Sequence, residues 1–483
     1  MRKELLIGAV VLVSCGLLLS ACTPSKEVMK KAEGLVADAD ELVNEHKYAD
    51  ALDKYGEARE VYEGNVDIYI GIADIYLLKN RESDAVDVLK VGSRTARNSS
   101  QAYELLGRLQ LEEGDTDEAI DNLSQAVKKD EENYSAKYNL ALACMEKGEF
   151  EEARKQLDIP SDAGDDYARS QLLRSVLMGD RVEDAKKEIS KVDDYESESE
   201  ELLEDIEGYG ELLEKIDSLD EEEKTDKYVD VILASGALSL GYEDVTLDLL
   251  EKYKDVEKEY WELNLYLGHA YFLDGDNEKS EEYLNRASTL NPVDYVGAWL
   301  QARNYKELSE ENSMVDSYRR AVEIAPSEIK VEIRTEFAEE LLNNGQYSEA
   351  EDQYNSLIKE DEENADKYRI MLAESYIDRG LTDKIGDILG GIRQESISDE
   401  LLARYYYLKA VVEFDGGDKQ KAIQWVEESL DLDPYSASVY LLRGQIEFEE
   451  GNVSETKEYL EKAIDLDLQG DVSAEALKLL DRI

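Results

Sequence analysis

Three thiols and two imidazoles are the side chains of this 483-residue chain best suited to covalent or metal chemistry: Cys15, Cys22, Cys144, His46 and His269. A zinc site needs three or four such ligands at close spacing, and a nucleophile needs a neighbouring base. Neither pattern occurs. The two histidines lie far apart, so a shared metal site is not expected. There is no His-Glu-x-x-His, no Gly-rich phosphate loop and no calcium-loop spacing. The acidic run Asp220 to Glu223 lacks the alternating ligands and central Gly that calcium needs, and reads as a charged face. The expectation is no catalytic residue, no cofactor and no metal: a protein that is not an enzyme.

Cys22 stands apart because of what precedes it. Met1-Arg-Lys-Glu leads into an apolar run from Leu5 to Leu19 and then Leu19-Ser20-Ala21-Cys22. A positive start, an apolar centre and small residues before a cut are the marks of a secretory signal. The last four residues resemble a bacterial lipobox. That resemblance implies a signal peptide over 1–21, a diacylglyceryl group on the Cys22 thiol, and a lipidated tether over 22–31. The protein would then be exported and lipid-anchored to the outer face of the bacterial cell membrane, or to the outer membrane in a Gram-negative cell. The alternative is an uncleaved membrane helix, and Leu5 to Ala21 is short for one. Either reading leaves the protein anchored. Cys144 is then the only thiol in the folded part, so no intramolecular disulfide can form.

The charge balance narrows the partner. Against 114 Asp and Glu stand 55 Lys and Arg, a net charge of −59. Phosphate backbones are bound by clustered basic residues, so nucleic acid is excluded as a partner. Adhesion to anionic lipid heads is disfavoured for the same reason. The plain reading is a solvated, self-repelling surface; the sharper one is a basic partner.

The elements that would position any site repeat. Ala51, Ala85, Ala119 and Ala153 fall 34 residues apart. Ser280 and Met314 keep that spacing, as do Ala422 and Thr456, with Ala350 and Ile385 between them. Five residues before seven of these markers stand Gly114, Gly148, Gly275, Gly345, Gly380, Gly417 and Gly451, where glycine can end one helix in the left-handed conformation and turn the chain into the next. Pro292, Pro326 and Pro434 sit twelve residues after a marker, where a helix must end. Such periods signal stacked helical hairpins, each unable to bury its apolar face alone.

These residues resemble the tetratricopeptide repeat (TPR). The best copy runs from Trp261 to Asp294, with Leu267-Gly268, Tyr271, Leu284, Ala287 and Pro292. The resemblance implies an all-α, TPR-like α-solenoid, a right-handed superhelix of antiparallel hairpins. The expected layout is array I over 32–199, an acidic linker helix over 200–225, array II over 226–470 and a capping helix over 471–483. The repeat fails from Asp193 to Lys224, a stretch with 16 acidic residues, read as an extra helix that acts as a hinge or as a solvated connector.

In this family the first helix of each hairpin lines a concave groove that binds protein or peptide. Carried onto this sequence, the groove positions include Arg108, Tyr138 and Arg174 in the first array. In the second they include His269, Phe272, Trp299, Arg303, Lys306, Tyr407, Phe414 and Phe448. The same positions could instead complete packing between repeats. The expected function is a membrane-anchored scaffold or assembly factor at the cell envelope. The alternative is an extracellular solute- or glycan-binding lipoprotein, though the repeat spacing leaves no large ligand-binding insertion.

Overall fold

The structure is a computed structural model and describes residues 24–96, 99–178, 182–192, 200–220, 225–253, 260–377, 380–467 and 470–483. Cys22 and the leader lie outside it. The described residues hold 26 α-helices, three short 3-10 turns and no strand. Twelve helix pairs follow one another, from Lys26–Asn44 with Tyr48–Val61 to Ala437–Glu450 with Val453–Leu466; the helices Glu200–Ser218 and Asp471–Leu480 stand outside the pairs. No described helix is long and apolar enough to cross a membrane.

The 34-residue spacing is explained by burial. Ala51, Ala85, Ala119, Ala153, Ala350, Ile385 and Ala422 are wholly buried, each where the second helix of a pair crosses the first. The turn five residues earlier is left-handed at all seven marker glycines, with φ between 62° and 83°. Where glycine is missing, the same conformation persists at His46 (φ 55°), Asn80 (φ 50°) and Ser309 (φ 58°). The turn is therefore imposed by the hairpin, and glycine merely adopts it most easily.

Close approach of the paired helices also has a steric cause. A Cβ on Gly107 would lie 2.6 Å from Leu123 Cγ, one on Gly268 2.7 Å from Leu284 Cγ, and one on Gly444 2.6 Å from Leu460 Cδ2. Within the expected tether over 22–31, a helix already begins at Lys26. Ser25 caps that helix by accepting from the Val28 amide at 3.2 Å, so residues 26–31 are helical.

Two compact units divide the chain, one of residues 1–136 with 435–483 and one of 137–434. In the first, a buried apolar cluster runs through the N-terminal hairpins, from Val36 to Leu109. A separate cluster of Leu441, Leu460, Ala463 and Ala476 seats the terminal helix on the last hairpin.

In the second unit the acidic stretch yields a docked helix. Glu200–Ser218 buries Leu202, Ile206, Tyr209, Leu213 and Ile216, and a Cβ on Gly236 of the next helix would come 2.8 Å from Leu212 Cδ1. Its acids occupy the other face. The hairpin after it, Asp226–Ser239 with Glu243–Leu250, has a marker that sequence reasoning missed. Thr246 is fully buried five residues after Gly241 (φ 74°), and its hydroxyl donates to Ala234 O at 3.0 Å. Ser280 makes the equivalent bond to Gly268 O at 2.8 Å.

Candidate interaction face

The second unit gathers part of the expected groove set. Trp299 and Arg303 are four residues apart on helix Tyr295–Glu307, hence on one face. The Arg303 guanidinium lies over the indole, 4.2 Å from its ring centroid. Its fork donates to both oxygens of Glu336 on helix Ser327–Asn343, Nε to Oε1 at 2.9 Å and Nη2 to Oε2 at 2.7 Å. Trp299 Nε1 donates to Oε2 at 3.0 Å, and the Tyr318 hydroxyl donates to Oε1 at 2.6 Å. Glu336 thus accepts four hydrogen bonds. Burial alone would raise its carboxyl, but the bonds from Arg303 and Tyr318 win and hold it below the usual range.

One turn on, Lys306 Nζ reaches Glu340 Oε1 at 2.8 Å, from a half-exposed lysine to a nearly buried carboxylate. His269, on the neighbouring first helix Trp261–Leu273, is half-buried, and burial together with Arg303 pushes its imidazole pKa down. At neutral pH it is an uncharged donor and acceptor beside the cluster.

Both expected cations are therefore already paired. The face is left with the Trp299 indole, neutral His269 and an excess of acids. Glu339 shows that excess directly: burial, then Glu340 and Glu336, push its carboxyl up.

The remaining candidates do not join this cluster. Phe272, Tyr407 and Phe414 are half-buried on their own first helices. Tyr138 donates to or accepts from Tyr242 across 3.0 Å, and burial pushes both phenols up. Arg174 pairs with Glu188 at 3.1 Å. Arg108 and Phe448 belong to the other compact unit. There Arg108 is exposed and lowers the Asp74 carboxyl against the rise caused by burial, while Phe448 lies 4.8 Å under the Arg482 guanidinium.

Glu336, Glu340, Tyr318 and Tyr242 were not anticipated. A signal existed for the first two: Glu336 follows Arg303 by 33 residues and Glu340 follows Lys306 by 34, one repeat in each case. Opposite charges at that spacing meet across adjacent hairpins. Another cluster, with Trp425 stacked on Tyr406 at 5.4 Å and Lys409 Nζ 4.5 Å from its ring, carried no sequence signal. Cys144 is buried and its thiol is pushed up to about 11, mainly by burial, so it is a packed, unreactive group. Among the described residues no three His, Cys, Asp or Glu side chains gather as a metal would require.

A chain built from helical hairpins, with polar and aromatic side chains displayed along their first helices, falls in the class of helical-repeat interaction scaffolds. Family models described as tetratricopeptide repeat match residues 42–109, 110–177, 262–294, 398–437 and 437–469. The chain carries tetratricopeptide repeats, in the 34-residue frame of its buried markers.

No curated protein matches the sequence. Among solved structures, a tetratricopeptide repeat protein from Parabacteroides merdae is 18% identical over 53% of this chain and 99% of its own, with a TM-score of 0.38. Yeast Tom70 is 15% identical over 94% of this chain and 97% of its own, with a TM-score of 0.34. The TPR domain of P58(IPK) is 18% identical over 79% of this chain and 98% of its own, with a TM-score of 0.23. Superpositions this loose carry no argument about a site.

Proposed function

We propose that this protein is a lipid-anchored scaffold or assembly factor of the bacterial cell envelope, holding a protein or peptide partner on the first-helix face around Trp299. The observation that carries the reading is the Trp299–Arg303–Glu336 cluster. It is a half-exposed indole fixed by a cation and a shared carboxylate, on a repeat whose general use is protein binding. Tryptophan and arginine in such settings dominate binding energy. Because Arg303 and Lys306 are already paired and Glu336, Glu339 and Glu340 crowd the same face, the partner segment that fits is basic and apolar, not a carboxylate tail. The anchor rests on the sequence around Cys22 alone.

The test is capture from intact membranes. Wild type should recover a reproducible partner, and Trp299→Ala/Arg303→Ala, checked to melt cooperatively, should lose it. Equal recovery by both would overturn the groove assignment. Separately, the wild type should take up a radioactive fatty acid and Cys22→Ser should not. Absence of label on the wild type, or label that survives Cys22→Ser, would overturn the lipid anchor.

A further inference from the structure

The first unit contains two chain segments that meet although some 400 residues separate them in sequence, and their contact is of an unusual kind. Helix Tyr48–Val61 has Lys47 at its N-cap and receives no side-chain cap from it. Its first free amides need an acceptor. Asp465, at the end of the last hairpin, supplies one: its Oδ1 accepts from the Ala49 amide at 2.9 Å across 416 residues of sequence.

The reverse bond is also made. Helix Val453–Leu466 ends with carbonyls that have no partner within the helix. Lys79, the C-cap residue of helix Val66–Leu78, donates its ammonium to Asp465 O at 2.5 Å and Ile464 O at 3.4 Å. A carboxylate thus meets a helix N-terminus, and a cation meets helix C-termini, which is the favourable sense of both dipoles. Beside them the His46 ring lies 4.0 Å from the Tyr435 ring, and a 2.8 Å hydrogen bond links its Nδ1 and the Tyr48 hydroxyl.

The apolar clusters of the two segments are separate: one comprises residues between Val36 and Leu109, the other Leu441, Leu460, Ala463 and Ala476. Between the segments a cleft of about 1260 Å³ remains open, lined by Lys47, Lys79, Arg81, Tyr440, Tyr459 and Lys462 among others. Neighbouring hairpins elsewhere share buried alanines and leucines; this joint is made of polar bonds to helix ends and the His46–Tyr435 ring contact, with Leu52 and Ile464 lining the open cleft.

We propose that the first two hairpins are a receptor for the end of the last hairpin, and that the joint is a releasable clasp closing the chain's ends on each other. Since neither apolar cluster spans it, the clasp opens without unfolding either segment. Residues 137–434 are covalently bracketed by the clasped ends, so any ligand that displaces Asp465 frees both ends at once.

Electron–electron distance measurement tests this. Spin labels would be placed at the exposed positions Asp53→Cys and Lys457→Cys in full-length protein lacking Cys15 and Cys22; buried Cys144 stays unlabelled. The expected result is one narrow, short distance. In Lys79→Met/Asp465→Ala the short population should fall severalfold and the distribution broaden, with helical content and melting unchanged. Asp431→Ala, at the corresponding position one repeat earlier, should leave the distance alone, and Asp465→Asn, which keeps an acceptor, should retain most of the short population. A broad distribution in the unmutated protein would overturn the clasp. So would a short distance that survives the double substitution.

Discussion

Ser309 shows what one residue contributes when its backbone is dictated from outside. Its φ of 58° falls in the left-handed region that glycine occupies at the same place in eight other hairpins, and a side chain there costs about 1 kcal/mol. Ser309→Gly should therefore raise stability by about 0.5–1 kcal/mol, offset in part by the greater freedom of glycine in the unfolded chain, and read as a higher urea midpoint. Glu336 gives a second expectation at this scale. Its carboxyl lies below the ordinary value in the folded state, so the stability it contributes is present above about pH 4.5 and is lost as pH falls through the folded value. Glu336→Gln should flatten that part of the acid limb in a pH series of thermal melts. Arg303→Met should cost about 1–2 kcal/mol, discounted for the partial exposure of the pair, because the remaining carboxylate loses its fork.

At the scale of the element, the marker residue sets how near two helices lie. Ala119 is fully buried, and Ala119→Phe should cost about 1–3 kcal/mol through overpacking. Gly268→Val should do comparable damage, since its Cβ would sit 2.7 Å from Leu284 Cγ. The acidic helix Glu200–Ser218 offers a sharper contrast. A solvated connector would tolerate Leu213→Ala. A docked helix with Leu213 fully buried should lose about 2–5 kcal/mol, visible as a lowered or split melting transition. The apolar spacing of Leu202, Ile206, Leu213 and Ile216 made this helix legible in sequence. Its docking was not, because that depends on Gly236 of the following helix leaving room for Tyr209 and Leu212.

For the whole molecule, charge is the dominant long-range effect. A net charge of −59 repels itself, and salt screens that repulsion within a Debye length of about 8–10 Å at physiological strength. Raising sodium chloride from low to physiological concentration should raise the melting midpoint. Mild acid should do the same. Burial, then Glu243 and Glu146, push Asp244 up to about 6, so its protonation on going below that pH favours the folded state. Together with the loss at Glu336 this places the optimum on the mildly acidic side of neutrality, checked by melts across the pH range. A midpoint that falls steadily from pH 7 to 5 would contradict it.

Fold class, turns and the order of hairpins were written along the chain, because each depends on residues within one repeat: a small residue at the helix crossing, and glycine five positions before. Even the exceptions obey the frame, since His46, Asn80 and Ser309 take the left-handed turn where glycine is usual. What the sequence could not give was which groove candidates meet. Trp299 and Arg303 share a helix face by spacing alone, but Glu336 reaches them only because the next hairpin stacks at a fixed offset. Asp465 meets Ala49 only because two segments at opposite ends of the chain are folded together. Local periodicity fixes conformation through neighbours in sequence; pairing between distant residues is decided by the accumulated placement of every hairpin between them, which no local pattern encodes.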